Sequence, residues 1–479
     1  MRPALVWAAP PAVTAALGGW ALNRPALWTD ELATWGATRL AGDQLWRLAG
    51  SVDAVLTPYY AVVKVLAPDG PRRLSLVAAV LTSVVVVALG RRAGGDTTGL
   101  IAGLLFAVLP VTSRYAQEAR PYAAVMLFAA LALLALLRLR DRPSPPRAAA
   151  YAAAVALTGL CHPLSALLML AGHAVAGWRL WRMWAPAALA GALPAIGLGV
   201  MAAGQTGQVA WIGRVSLATL RLLPEQFLLT GVTGGLLLAL AVAGTRRDPV
   251  QNAVAEVGRH PVRNAVAEVV RHPVRIAVAG AALVPPVLLL AAGTVAGVWV
   301  PRYVLIALPA LVVLAATGAA RAGRLPAVIA VSVIAALGWP SQVDIRGPAG
   351  HGQDSRRAAE VIGGQQRDGD VVVFPDSHPT QPWVARDIYE RYVPTPRPPD
   401  VLAVVPQRVD GRLTARECAD PAACLGTPPR IWILRPDNAP DPLRDMSPAK
   451  RTLLSTGYQV TGRWDHRQLT VVLLEPRKQ

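Results

Sequence analysis

Of the 479 residues, 53% are hydrophobic and only 16% are charged, and 47 Lys and Arg against 29 Asp and Glu give a formal charge of +18. Repeated apolar runs of helix-spanning length exclude a water-soluble domain for residues 1–340 and mark a polytopic membrane protein. Nucleic acid does not explain the excess of base: residues 341–479 hold 19 basic and 17 acidic side chains, so nearly all of the positive charge lies in the membrane part, where loop topology accounts for it.

In chain order, apolar runs predict spans near 4–22, 74–90, 98–113, 121–138, 148–161, 163–178, 184–203, 226–244, 276–298, 303–320 and 325–340, about 11 transmembrane helices. Arginine clusters alternate with them: Arg91-Arg92, then Arg138, Arg140, Arg142 and Arg147, then Arg179 and Arg182, then six arginines from Arg246 to Arg275, then Arg321 and Arg324. Taking these loops as cytoplasmic puts the N-terminus inside and the tail outside the cytoplasmic membrane. A cleaved signal peptide at the N-terminus would remove a span and break that parity.

Between the first two spans the loop 23–73 carries Trp28, Trp35 and Trp46, which suit interfacial helices. It opens with LWTDELATW, where Asp30 and Glu31 stand adjacent. Carboxylates so close to a bilayer are costly unless paired or functional. The plainer alternative is that Asp30 caps a helix beginning at Glu31. Two adjacent carboxylates are too weak a signature to assert a divalent-cation site, so no metal ligands are assigned. The run PYYAVVKVLA, 58–67, reaches only about 15 Å as a helix and is read as lying on the outer surface rather than crossing.

The next polar island, SRYAQEARPY at 113–122, interrupts two apolar runs with Arg114, Gln117, Glu118, Arg120 and Tyr122. An Arg114–Glu118 pair at i, i+4, with Pro121 at the start of the following helix, accounts for part of it. Gln117, Arg120 and Tyr122 are left over. His162, His173 and Cys161 lie in or beside helices and read as packing or hydrogen-bonding residues. The loop 245–275 contains a twelve-residue tandem repeat with prolines at 249, 261 and 273, too short for a solenoid, whose arginines fit anionic lipid. A third island, Arg302-Tyr303, opens the tenth span; alone it would be an interfacial anchor.

The tail, 341–479, reads as a small extracytoplasmic α/β domain. SRRAAEVIGG and PWVARDIYERY predict helices, and DVVVFPD, RIWILRP, YQVTGRW and LTVVLLEP predict strands. Cys418 and Cys424 predict a disulfide in an oxidising compartment. Asp376-Ser377-His378 lacks an accompanying nucleophile elbow and reads as a loop.

The order of these islands (Asp30-Glu31 in the first external loop, the aromatic pair Tyr59-Tyr60 after Pro58, AQEARPY, then Pro301-Arg302-Tyr303) resembles the GT-C superfamily of membrane glycosyltransferases over about residues 20–320. It is most similar to glycosyltransferase family 39, with the protein O-mannosyltransferases and the lipid A aminoarabinose transferase. The resemblance implies a GT-C-like catalytic domain over 1–340. It also implies a polyprenyl-phosphate-linked sugar as donor, attack by a hydroxyl of an acceptor protein, glycolipid or polysaccharide, inversion at the anomeric carbon, and Asp30 as base. Glu31 would orient the acceptor or bind a divalent cation; Tyr59, Tyr60, Arg114, Gln117, Glu118, Arg120, Tyr122, Arg302 and Tyr303 would bind the donor phosphate and substrate. Relatives often carry Lys-Pro-Pro before the aromatic pair, whereas this chain has Leu56-Thr57-Pro58. The phosphate must then find another cation, or the donor differs, or the site has decayed. The alternative to an enzyme is a noncatalytic scaffold or lipid-carrier transporter of the same fold.

Overall fold

The computed structural model describes residues 3–205, 207, 211–245, 273–377, 381 and 383–478. The tandem repeat over 245–275 falls almost wholly outside the described residues, as does His378. Two compact units emerge: Met1–Trp20 with Asp69–Val343, and Ala21–Pro68 with Asp344–Gln479.

The first unit is helical. Among the described residues, each of the eleven apolar runs is helical over most of its length. Six stretches among the described residues are long and apolar enough to cross a membrane: Pro71–Val108, Tyr122–Asp141, Pro163–Ala202, Pro273–Val295, Pro301–Arg321 and Arg324–Asp344. Proline opens four of them and Pro110–Ala116 and Pro145–Cys161 besides, because a first-turn residue has no intrahelical use for its N–H. The stretch Pro71–Val108 is two helices meeting at Gly94 and Gly95, and Gly95 has φ +81°, which a side chain would strain. Pro301–Arg321 is the central element, with 89% of its apolar window buried, whereas Arg324–Asp344, at 22%, turns Leu325, Val328, Ile329 and Val333 outward. That contrast is expected of a bundle whose rim is solvated by acyl chains. Helices Gly231–Thr245 and Leu308–Arg321 touch backbone to backbone: a Cβ on Gly244 would lie 2.0 Å from the Leu314 carbonyl oxygen. Small residues permit such approach in a medium that offers helices no hydrophobic drive to associate.

The second unit is α/β. Strands β1 (Val371–Val373), β2 (Ala403–Val405), β3 (Arg416–Glu417), β4 (Ile431–Arg435), β5 (Tyr458–His466) and β6 (Leu469–Pro476) form a four-stranded sheet of order β1-β4-β6-β5 and a β2-β3 pair. β1 and β4 run parallel, joined through helix Val384–Tyr392; β6 is antiparallel to β4 and β5. Central β4 is buried on both faces and reads as an apolar run, while the edge strand β5 mixes in Gln, Thr, Arg and Asp. Val372, Trp432, Leu434 and Val471 pack under helices Arg357–Gln365 and Val384–Tyr392. Val373, Ile433 and Leu474 pack with Leu454 of helix Pro448–Gly457 on the other face. All six segments predicted in the tail are present; helix Pro448–Gly457 and the β2-β3 pair were not foreseen. Cys418 and Cys424 are joined as a disulfide. Asp376 forms an ion pair with Lys450 at 2.9 Å.

Residues 21–68 fold with the tail. They make three short helices, Thr29–Thr38, Gly42–Ser51 and Thr57–Leu66. Leu32, in the first of these, is fully buried in the same apolar cluster as Val372 and Trp432.

Candidate active site

Helix Thr29–Thr38 presents Asp30, half-buried, and Glu31, fully buried, in its first turn. The cap position is Trp28, with no side-chain capping bond, so the reading of Asp30 as an N-cap does not hold: it lies inside the helix, where the dipole favours a negative charge. Glu31 Oε2 is 3.2 Å from His351 Nδ1, and neither side chain is exposed. Around this turn the segment 348–356 and Tyr392 form a clamp. The Ala26 N–H donates to the Pro348 carbonyl at 2.8 Å. The Leu27 N–H donates to Tyr392 Oη at 2.8 Å, and Ser355 Oγ donates to the Leu27 carbonyl at 3.0 Å. Thr29 Oγ1 donates to Gln353 Oε1 at 3.2 Å.

The far end of the helix is fixed as well. Lys64, from helix Thr57–Leu66, donates to the carbonyls of Thr38, at 3.3 Å, and Leu40, where a cation complements a helix C-terminus. Gly36 lies against a buried ion pair in which Arg408 NH1 and NH2 meet Asp387 Oδ1 and Oδ2 at 2.7 and 2.6 Å. Tyr59 and Tyr60 are buried at the start of helix Thr57–Leu66, and Tyr60 Oη donates to Asp53 Oδ2 at 2.6 Å. Among the described residues no group of three His, Cys, Asp or Glu is placed to hold a metal ion.

In the membrane unit the islands 113–122 and 302–303 come together. Helix Pro110–Ala116 ends at Gln117 and helix Tyr122–Asp141 starts five residues later, leaving 117–121 as a break. The predicted Arg114–Glu118 ion pair forms. Gln117 is wholly buried and spends both amide hydrogens on the carbonyls of Gly18, at 2.9 Å, and Trp20, at 2.8 Å, so it braces the break. Ser75 Oγ likewise donates to the Glu118 carbonyl at 2.6 Å. Arg302 Nε donates to Tyr122 Oη at 2.9 Å, and its guanidinium lies 5.8 Å from the centroids of both Tyr122 and Trp211.

His162, which the sequence placed among packing residues, belongs to this cluster. Its ring centroid is 4.5 Å from that of Tyr303 and 6.1 Å from that of Tyr122. The available signal was a histidine directly before Pro163 at a helix start. His173, in contrast, is a packing residue bonded to Tyr151 Oη at 3.1 Å.

No family model and no curated protein matches the chain. Among solved structures it is similar to ArnT from Cupriavidus metallidurans in the apo state, with 14% identity, a TM-score of 0.58, and coverage of 97% of this chain and 96% of that one. The same protein bound to undecaprenyl phosphate gives 14% identity, a TM-score of 0.57 and 97% coverage of both chains. An alignment that runs through both units at such low identity reports architecture rather than chemistry. By fold, the chain is ArnT-like, and among its described residues six helical stretches are long and apolar enough to cross a membrane.

Proposed function

We propose that the chain is a glycosyltransferase that moves a sugar from a polyprenyl-phosphate donor to an acceptor hydroxyl at the outer face of the cytoplasmic membrane, inverting the anomeric carbon. The observation that carries this reading is the meeting of Arg302, Tyr122, Tyr303 and the 113–122 island in the membrane unit of an ArnT-like fold. The similar ArnT structure is bound to undecaprenyl phosphate, which is a polyprenyl phosphate. A transferase outside the cytoplasm has no nucleotide sugars to draw on, and a lipid carrier delivers one through the bilayer. As the acceptor oxygen bonds to the anomeric carbon, the bond to the donor phosphate breaks and the electron pair leaves with the phosphate. Guanidinium groups at Arg302, Arg120 or Arg114 stabilise that growing charge. These arginines stand in for the lysine that the Leu56-Thr57-Pro58 sequence lacks. Asp30 takes the acceptor proton, and the clamp around its helical turn serves to keep its carboxylate in one place.

The test is label transfer from a panel of polyprenyl-phosphate sugars in membranes containing the protein. Transfer is expected from at least one donor, with Asp30→Asn reducing it about 10²- to 10⁴-fold, the usual contribution of a general base, while the protein stays inserted and folded. Near-normal turnover by that variant would remove Asp30 from the mechanism; no transfer from any polyprenyl donor would remove the function.

A further inference from the structure

His162 sits at the junction of helices Pro145–Cys161 and Pro163–Gly177 in extended backbone, and its Nδ1 is committed. That nitrogen accepts the Ser165 N–H at 3.2 Å and lies 2.9 Å from Ser165 Oγ. Ser165 Oγ also lies 2.6 Å from the Tyr303 carbonyl oxygen, so its single hydroxyl hydrogen is shared between that oxygen and Nδ1. A proton on Nδ1 would oppose the Ser165 N–H, so the neutral ring carries its hydrogen on Nε2. Among the described residues all of the ring's hydrogen bonds run through Nδ1. His162 is half-buried, and Nε2 is not among the wholly buried polar atoms that lack a partner. Its surroundings are the rings of Tyr303 and Tyr122, and the Arg302 guanidinium reaches the same place through its 2.9 Å bond to Tyr122 Oη.

We propose that His162 is a ligand-binding residue that presents its Nε2–H to a phosphate oxygen in the same site as Arg302. The inference rests on the donor reading above and adds a third kind of group to it. An open nitrogen that donates, set beside guanidinium charges, suits an anion. A metal ion would meet repulsion from the arginines and a hydrogen where it needs a lone pair. A general base would need the lone pair that Nδ1 has already given to Ser165. Phosphate supplies acceptor oxygens and negative charge together, and in this fold it would arrive either on a polyprenyl lipid or as the free ion.

Two substitutions separate binding from the structural duty of capping a helix. His162→Asn keeps an acceptor for the Ser165 N–H, asparagine being a favoured N-cap residue, but has nothing at the Nε2 position. His162→Gln reaches that position with an amide N–H and loses the cap. The full chain in lipid nanodiscs is titrated with undecaprenyl phosphate and, separately, with inorganic phosphate, and its thermal midpoint is recorded. A hydrogen bond to a charged group corresponds to roughly 10- to 100-fold in affinity. The expected result is that loss in His162→Asn at an unchanged midpoint, with part of it recovered by His162→Gln despite a lower midpoint. Loss of lipid binding assigns the phosphate to the carrier; loss confined to inorganic phosphate assigns it to the free ion. Wild-type affinity in His162→Asn, or losses in both variants that simply follow the midpoint, would overturn the inference and leave the donor reading intact. Failure of the unaltered protein to bind either ligand would overturn both.

Discussion

At the scale of single residues, polar side chains of similar appearance in the sequence have opposite fates, and partners decide which. Asp370, unremarked in the sequence, is almost fully buried and accepts four hydrogen bonds. They come from Arg430 Nε at 2.9 Å and NH2 at 2.6 Å, Trp432 Nε1 at 2.8 Å, and the Arg367 N–H at 2.9 Å. Burial pushes its pKa up, but Arg430 and the other donors outweigh that and hold it below the ordinary carboxylate value. A depressed folded-state pKa contributes stability that is present above the unfolded value, about 3.9, and is lost as pH falls through the folded one. Asp370→Asn removes the charge and leaves the Arg430 guanidinium buried without its counter-ion, a loss of about 3 kcal/mol. Amide exchange in β1 and β4 of the full chain should then quicken by about 100-fold at neutral pH, since each 1.4 kcal/mol is tenfold. The protection that unaltered protein loses below about pH 4, corrected for intrinsic exchange, should depend less on pH in the variant. Unchanged protection at neutral pH would make the network dispensable. Gln117 and His162 teach the same lesson from the other side. One was grouped with ligand-binding residues and braces the chain; the other was set aside and faces the cluster. Residue type and spacing carry no record of which carbonyls, from 97 and 138 positions away, the fold brings to Gln117 and to the Ser165 that orients His162.

At the scale of an element, helix Thr29–Thr38 shows why the sequence disclosed its existence but not its fixing. The acidic first turn and the flanking tryptophans were legible. Its partners were not, because Glu31 and His351 are 320 positions apart and the hydropathy pattern does not encode pairing. Gly36 is the point where this matters most. A Cβ there would lie 2.4 Å from Arg408 NH1 and 2.7 Å from its Cζ. An exposed arginine would swing aside, but this one is held at both nitrogens by Asp387 inside the protein. Replacing glycine by alanine in a helix interior favours the helix by up to about 1 kcal/mol. Against that, overpacking costs about 1–3 kcal/mol, and disturbing a buried ion pair adds to it. Gly36→Ala should therefore be net destabilising by about 1–2 kcal/mol, and the transfer proposed for Asp30 should fall in the same variant, because the helix that carries Asp30 must shift. A rise in thermal midpoint would mean that helix propensity wins and that Arg408 has room to move.

At the scale of the whole molecule, the hydropathy pattern gave the helical bundle nearly complete, since a run of about twenty apolar residues has one stable form in a bilayer. What it did not reveal is that residues 21–68 fold with 344–479, a union made by hydrogen bonds and a shared core rather than by any local pattern. The sidedness of the membrane rests on the arginine alternation, which requires that helix Thr57–Leu66 does not cross. Two observations support that. Ten residues span about 15 Å, half of a hydrocarbon core, and the helix folds within the second unit, burying Tyr59, Tyr60 and Val63. Single cysteines at Thr97 and Pro143, in the first two arginine-rich loops, should then be shielded from an impermeant thiol reagent in intact cells. One at Gly457, exposed and with open space where a side chain would go, should be labelled. Cys161, Cys418 and Cys424 are replaced beforehand to clear the background. Labelling at Thr97 would mean that Thr57–Leu66 spans the bilayer after all. Asp30 and the 113–122 island would then face opposite compartments, and no single transfer reaction could draw on both.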